Sequence, residues 1–326
     1  VLLIRNANEA RIALLAFATG QVFLLAASWL LAAGVANPWA ATSAGKNVVF
    51  SSYLDQSIIF ATAAAVFWHL RHEKLWPARL GTGLAAAAMA NTLLLLAGRT
   101  GYAVAVTLIS LGVMWATPRH LRLVTLALTP ALLVAALYLG SATVQDRLTR
   151  VVDEGQNYGT LAVTESSSGW RLNAWKRSVE AIAERPIAGH GIGSWTQTVK
   201  RLEGSGADKI FGTGNSSNPH EEYLLWGVEL GVGGIFALIW LYWTIARDAT
   251  QFDTATSRAA LSTLAALAIA CLFNSTLYDG LIGDYFCTVV GLLLALGIRC
   301  GKPELLAADQ DNGAIWKEEP ASGRPA

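Results

Sequence analysis

The first apolar stretch of the chain reads IALLAFATGQVFLLAASWLLAAG, from Ile12 to Gly34. It contains no charged side chain, and a helix of this length covers the roughly 30 Å of hydrocarbon in a lipid bilayer. The rest of the chain has a similar character, since 53% of its 326 residues are hydrophobic and only 14% are charged. Soluble domains contain fewer apolar and more charged residues. The sequence therefore predicts an all-α polytopic membrane protein.

Eight stretches are candidates for transmembrane helices, and the connections between them differ in charge. Arginine and lysine recur in every second connection, and the positive-inside rule assigns these connections to the cytoplasm. The long segment 141–222 then lies on the outer side of the membrane. The candidate spans are Ile12–Gly34, Tyr53–Leu70, Leu80–Ala97, Tyr102–Thr117, Leu123–Gly140, Tyr223–Ala246, Ala259–Leu277 and Tyr285–Ile298.

The two ends of the chain differ from the apolar body. Residues 302–326 are polar and lack apolar periodicity, which predicts a disordered cytoplasmic tail after a membrane domain at 1–301. The chain starts at Val1 rather than at a methionine, so we expect further spans to precede it. The net charge of +1 argues against a nucleic-acid partner, because phosphate backbones are bound by concentrated basic residues. The cysteines at 271, 287 and 300 have no spacing typical of a zinc site and are interpreted as packing residues.

The segment 141–222 is too long for a simple connector, and long ordered loops are often functional. Within it, Trp170–Arg185 has the periodicity of an amphipathic helix that Pro186 ends. Such a helix can lie along the membrane surface, where Arg171 would project toward lipid phosphates. The predicted apolar stripe consists of Leu172, Trp175, Val179 and Ile182.

Arg99 lies between two apolar stretches, in the short sequence Gly98-Arg99-Thr100-Gly101. A charged residue at membrane depth is costly and commonly marks a substrate pathway. The planar guanidinium also matches the oxygens of a phosphate group. The alternative is an anchor whose side chain reaches the interface without binding a ligand.

His220 directly precedes the sixth candidate span, on the predicted outer side. An imidazole titrates near neutral pH and can remove a proton from a sugar hydroxyl within hydrogen-bond reach. Glu221 or Glu222 is a candidate to orient the ring. The alternative is a histidine that only borders the lipid headgroups. A metal site is not expected, since no His-Glu-x-x-His pattern follows.

Three motifs occur in the order of a known family: Trp170-Arg171-Leu172-x-x-Trp175, then Arg185-Pro186-Ile187-x-Gly189-x-Gly191-x-Gly193, then His220-Glu221-Glu222-Tyr223-Leu224 with Glu229-Leu230-Gly231-x-x-Gly234. Together with Arg99, these motifs resemble the O-antigen ligase and polymerase superfamily. The resemblance implies a C-type membrane glycosyltransferase that uses no cofactor, metal or nucleotide sugar.

The same resemblance implies the substrates and the site residues. The donor would be a glycan linked to undecaprenyl diphosphate at the periplasmic side of the bacterial inner membrane, and for a ligase the acceptor would be the lipid A-core oligosaccharide. Arg99, Arg171 and, with less support, Arg147 match arginines that bind the diphosphate, while His220 matches the catalytic histidine. Glu221 departs from the Asn, Ser or Gln usual after that histidine, which leaves its role open.

Two other functions are compatible with these motifs. An O-antigen polymerase tends to have two large outer loops, whereas this chain has one and a short tail, which favours the ligase. A transporter or flippase for the same polyprenyl lipid would need arginines near the membrane surface, but no general base.

Overall fold

A computed structural model of the chain describes residues 3–39, 43–44, 47–49, 51–73, 75–96, 98–140, 167–204 and 218–300, and the single positions 145, 149 and 153. Helices dominate this part of the chain. Their bounds are α1 Ala7–Ala32, α2 Tyr53–His69, α3 Ala78–Ala90, α4 Arg99–Ala116, α5 Arg122–Gly140, α6 Ser167–Glu184, α7 Trp195–Glu203, α8 Glu222–Ala249, α9 Thr254–Phe273 and α10 Gly280–Cys300.

Short elements complete the described structure. Two-residue strands, β1 Ser43–Ala44 and β2 Ser51–Ser52, pair in parallel just before α2. The π-helical segment Asn91–Leu95 continues α3, and 3₁₀ turns at Leu70–His72 and Arg119–Leu121 follow α2 and precede α5. These elements do not change the all-α class.

Six of the described helices are long and apolar enough to cross a membrane: α1, α4, α5 with its preceding turn, α8, α9 and α10. This confirms the prediction of an all-α polytopic membrane protein. The other two predicted spans are present as α2, with 17 residues, and α3, with 13 residues before the π-helical segment. Their assignment as spans remains a prediction.

The predicted helix ends are wrong at two places that matter for the site. The expected turn at Gly98–Gly101 is shorter than predicted, because α4 already begins at Arg99. The span predicted to end at Leu277 ends at Phe273, since Asn274 has an extended backbone with φ −154° and ψ 154°. Both differences move a polar residue to the very end of a helix.

Helix α2 is at the centre of the bundle. It packs against α3, α4 and α9, and nearly all its residues are buried. Its middle section, Ala61–Ala65, is rich in alanine, and small side chains let neighbouring membrane helices approach closely. A separate apolar cluster joins α6 and α7 to the first half of α8 through Ala174, Trp195, Leu225 and Val228.

The antiparallel bundle has two ends of different composition. One end, called the basic end below, joins the last turns of α2 and α4 to the start of α9, around His69, Trp115 and Arg258. The other, called the site end, joins the starts of α2, α4 and α8 to the end of α9, around Arg99 and His220. The basic connections predicted to be cytoplasmic follow the first end. The predicted tail at 302–326 lies outside the described residues.

Candidate active site

Helix α6 confirms the helix predicted at Trp170–Arg185, with bounds Ser167–Glu184. The placement of its apolar stripe along the membrane surface stays a prediction. The buried face contains Ala174, Ser178 and Ala181, which pack against α7 and α8, whereas Leu172 and Val179 of the predicted apolar stripe are exposed. The small residues face the protein because they permit the close approach of neighbouring helices.

Two side chains of the Trp170-Arg171-Leu172-x-x-Trp175 motif contact His220 or the residue before it. The ring of Trp170 lies edge-on to the imidazole, with centroids 5.3 Å apart. The indole N–H of Trp175 donates to the backbone carbonyl of Pro219, 3.1 Å away. Two tryptophans of one helix thus contact the segment that carries the histidine.

The backbone of His220 has an unusual conformation for a residue with a side chain. Its φ is 51°, in the left-handed region, and its N–H donates to Oδ1 of Asn218 at 2.9 Å. Residues other than glycine adopt this region at some cost, and such strain concentrates at functional sites. In this conformation the imidazole lies against the end of α9.

The imidazole meets Asn274, which ends α9. The Nδ1 of His220 is 3.2 Å from Oδ1 of Asn274. With the amide oxygen as acceptor, this contact requires the proton on Nδ1 and leaves Nε2 as an acceptor. The arrangement therefore presents the basic nitrogen of a neutral imidazole to a ligand.

The electrostatic surroundings keep His220 neutral near pH 7. Burial lowers the pKa of the imidazole, the hydrogen bond to Asn274 raises it, and the nearby cation of Arg171 lowers it. Asp279 raises it slightly. The net shift is downward, which suits a group that accepts a proton.

Arg171 reaches the same helix end. Its guanidinium donates to the carbonyl of Phe273 at 3.3 Å, one residue before Asn274. Burial lowers the pKa of Arg171, and the charge of Arg99 lowers it further. Two cations therefore lie close enough to destabilise each other, and an anion between them would relieve the repulsion.

Two glycines near Arg99 allow the start of α4 to pack closely against α2. A Cβ on Gly98 would lie 2.5 Å from the hydroxyl of Ser57, and one on Gly101 would lie 2.2 Å from the same atom. Only glycine permits this contact between α4 and α2. The result is an exposed arginine at the N-terminus of an 18-residue helix, where unpaired N–H groups also favour anions.

The two carboxylates after His220 do not orient its ring. Glu221 caps α8 by accepting from the backbone N–H of Leu224, and burial raises the pKa of its carboxyl to about 7. Glu222 accepts from the backbone N–H groups of Leu277 and Tyr278, at 2.9 and 3.4 Å. The expectation that either carboxylate would orient the imidazole is wrong. The side chain that contacts the Nδ1 of His220 is that of Asn274.

One predicted site residue lies outside the described structure, and one large cavity lies away from the cluster. Arg147 lies outside the described residues, so its assignment to the diphosphate site stays a prediction. A cavity of about 770 Å³ lies at the basic end, and its lining contains none of Arg99, Arg171 and His220.

Sequence reasoning missed Asn274 as part of the site. A signal for Asn274 was present, because the polar residues Asn274-Ser275-Thr276 end the apolar run of α9. The contact of Glu222 with the turn after Asn274 had no signal, since these backbone groups are more than fifty positions away.

The fold and the site define a class: a polytopic helical membrane protein whose arginines and histidine converge at one end of the bundle. Residues 84–239 match the profile of the O-antigen ligase family. This segment, just under half of the chain, is similar to that family and contains Arg99, Arg171 and His220. This match confirms the resemblance to the O-antigen ligase family that the sequence motifs indicated. A search of curated proteins gave no match.

Proposed function

We propose that this protein transfers O-antigen polysaccharide from undecaprenyl diphosphate to the lipid A-core oligosaccharide. The observation that carries the proposal is the convergence of Arg99 and Arg171 with the imidazole of His220 at the end of α9. The family match supports glycan transfer of this general type. We place the site on the periplasmic side of the inner membrane, because the basic connections follow the opposite end.

The arginines bind the diphosphate of the donor. Among the described residues, the hydrogen-bond acceptor of Arg171 is a carbonyl group and not a carboxylate. Bidentate contacts between guanidinium and phosphate are strong and directional, and they offset the charge that develops on a leaving diphosphate. The N-terminus of α4 adds a further attraction for the same anion.

His220 acts as the general base. Its Nε2 takes the proton of the acceptor hydroxyl while the hydroxyl oxygen forms a bond to the anomeric carbon of the donor sugar. The bond between this carbon and the phosphate oxygen breaks, and the electron pair leaves with undecaprenyl diphosphate. Direct displacement inverts the anomeric centre. The free energy comes from the glycosyl diphosphate, so no nucleotide or metal takes part.

Asn274 supports this role by fixing the tautomer. The amide oxygen accepts from Nδ1–H, which leaves the lone pair of Nε2 for the acceptor hydroxyl. Glu222 holds the turn after Asn274 through the backbone N–H groups of Leu277 and Tyr278. Both are positioning residues, since they act through His220.

In vitro transfer with purified full-length protein tests the proposal. The reaction contains undecaprenyl-diphosphate-linked glycan of defined length and lipid A-core acceptor, with and without a chelator. We expect the glycan to appear on lipid A-core in both conditions. Loss of transfer in chelator would contradict the metal-free mechanism.

The same assay separates the alternative functions. Growth of the polyprenyl-linked glycan without acceptor would identify a polymerase. Movement of the donor across a vesicle membrane without any new glycosidic bond would identify a transporter, and in that case His220→Ala would retain full activity.

A further inference from the structure

The glycine-rich segment Arg185–Gly193, called the docked loop below, is attached to a break in helix α8. The backbone N–H of Val232 donates to the carbonyl of Pro186 at 2.7 Å. In return, the carbonyls of Val228 and Glu229 accept from the N–H groups of His190 and Gly191, at 2.8 and 2.9 Å. The loop thus satisfies backbone groups that the break in α8 leaves without helical partners.

Two glycines make this attachment possible. Gly231 interrupts α8 with φ 70° and ψ −166°, and a Cβ there would lie 2.5 Å from the carbonyl oxygen of Ile187. Gly189 has φ 63°, and its Cβ would lie 2.4 Å from the carbonyl oxygen of Glu229. In both cases the Cβ would clash with backbone atoms, which cannot rotate away as a side chain can. The loop can therefore approach α8 this closely only with glycine at both positions.

The docked loop contains two isoleucines whose side chains are almost fully exposed. Ile187 is 87% exposed and Ile192 is 84% exposed. A flexible loop could fold such side chains inward, but the backbone hydrogen bonds hold this loop against α8. Single exposed apolar residues are common on protein surfaces. Two on one fixed loop that is joined to a membrane helix indicate contact with an apolar medium.

The surface of α8 indicates where the membrane begins. From Glu222 to Glu229 no residue of α8 is exposed, because α6 and α7 cover this part. From Leu230 onward the helix exposes large apolar side chains, including Val232, Phe236, Trp240 and Trp243. The change from protein-covered to lipid-facing surface therefore occurs at Gly231, where the loop is docked.

The length of α8 also places the outer edge of the membrane near Gly231. The 17 residues from Gly231 to Arg247, which marks the basic end, span 16 helical steps and rise by about 24 Å. This approaches the roughly 30 Å of bilayer hydrocarbon. Gly231 and the loop attached to it therefore lie near the outer edge of the hydrocarbon.

We propose that the docked loop is a membrane contact: Ile187 and Ile192 enter the acyl-chain region of the outward-facing leaflet, and the exposed guanidinium of Arg185 lies among the headgroups. The partner is bilayer lipid, since the isoleucines continue the lipid-facing surface of α8. The loop directly follows α6, so this contact sets the depth of Arg171 relative to the lipid phosphates. The proposal rests on the membrane-spanning fold and does not depend on the transfer reaction.

Depth-dependent quenching tests the membrane contact. A variant of the full-length protein without cysteines receives Ile187→Cys or Ile192→Cys, each labelled with an environment-sensitive fluorophore. The protein is placed in nanodiscs of phosphatidylethanolamine and phosphatidylglycerol that contain a lipid with a nitroxide high on its acyl chain. Phe236→Cys, 66% exposed on α8, is the control for a lipid-facing position, and Lys200→Cys, exposed on α7, is the control outside the membrane.

We expect nitroxide quenching at positions 187 and 192 to be similar to that at position 236 and at least twice that at position 200. Quenching as weak as at position 200 would overturn the proposal. A blue-shifted emission without nitroxide quenching would also overturn it, since the isoleucines would then contact protein.

A second pair of variants tests whether docking fixes the loop at this depth. Gly231→Ala should detach the loop and weaken quenching at position 187. Gly233→Ala is the matched control, since a Cβ there meets no atom within 4 Å, and it should leave quenching unchanged. Equal quenching in both variants would show that the break in α8 does not position the loop.

Discussion

The site end and the basic end of the bundle both contain arginine, histidine and tryptophan, but they use them differently. At the basic end, the guanidinium of Arg71 lies 3.8 Å from the centre of the Trp68 ring, and Arg258 lies above Trp115 at 5.8 Å. These cations are stabilised by aromatic faces of their own helices or neighbours. At the site end, Arg99 and Arg171 instead lie close enough to lower the pKa of Arg171.

The histidines show the same contrast. His69 at the basic end is buried and lies edge-on to Trp115, with ring centroids 5.2 Å apart. His220 also has a tryptophan at its edge, but its Nδ1 meets a polar partner that fixes the tautomer. A cavity of about 770 Å³ lies at the basic end, whereas the convergent charges and the fixed tautomer are at the site end. The proposed function rests on the second set of features.

The sharpest test of this contrast replaces one histidine at each end. His220→Ala should reduce transfer to lipid A-core by at least about 100-fold, the usual contribution of a general base. His72→Ala, an exposed residue at the rim of the basic-end cavity, should leave transfer unchanged. Initial rates with purified protein measure both. Similar activity in the two variants would remove His220 from the mechanism.

Arginine geometry provides the next test. Arg171→Lys keeps the charge but loses the fork that binds two phosphate oxygens, so we expect transfer to fall about 10- to 100-fold. Arg258→Lys at the basic end should retain most of the activity. Donor concentration series in vitro give the comparison. A near-normal rate for Arg171→Lys would contradict diphosphate binding by Arg171 and would indicate that this residue only anchors α6 at the membrane surface.

Helix α4 allows the two ends to be compared within one element. Gly101→Ala places a Cβ 2.2 Å from the hydroxyl of Ser57, and overpacking of this kind costs about 1–3 kcal/mol. We expect a lower thermal midpoint and a several-fold loss of transfer, because the start of α4 carries Arg99. Gly112→Ala, near the basic end, meets no atom within 4 Å and should change neither quantity. Equal midpoints for the two variants would contradict the role assigned to Gly101.

The smallest expected effect concerns the pH dependence of transfer. His220 must be neutral to accept a proton, so activity is lost as the pH falls through its pKa. Asn274→Asp places a carboxylate beside Nδ1, raises that pKa, and should move the acidic limb of kcat/KM upward by about one pH unit. Asn274→Ala removes a hydrogen bond that raises the pKa and should move the limb downward.

Nuclear magnetic resonance of labelled histidine measures the same pKa without reference to activity. A resonance assigned by its loss in His220→Ala should shift in parallel with the kinetic profile. If neither the resonance nor the profile moved in the two Asn274 variants, Asn274 would have only a structural role.

The sequence allowed the membrane class and the candidate residues to be predicted for local reasons. Apolar length identifies a span such as Ile12–Gly34 without knowledge of its neighbours. The motif around Trp170 and Arg171 predicts its helix from spacing alone, and the structure has that helix at Ser167–Glu184. The residues of this helix that pack on protein were not predicted, because periodicity does not distinguish a surface that faces lipid from one that packs on protein.

The sequence by itself determined that the chain is a helical membrane protein and that Arg99, Arg171 and His220 are its unusual residues. Only the tertiary structure decided that Asn274, rather than Glu221, meets the imidazole, and that Phe273 and Asn274 join Arg171 to His220. The physical reason is that hydrophobic length is a property of consecutive residues. Hydrogen bonds across 54 and 102 positions exist only once the helices have packed and brought their ends together.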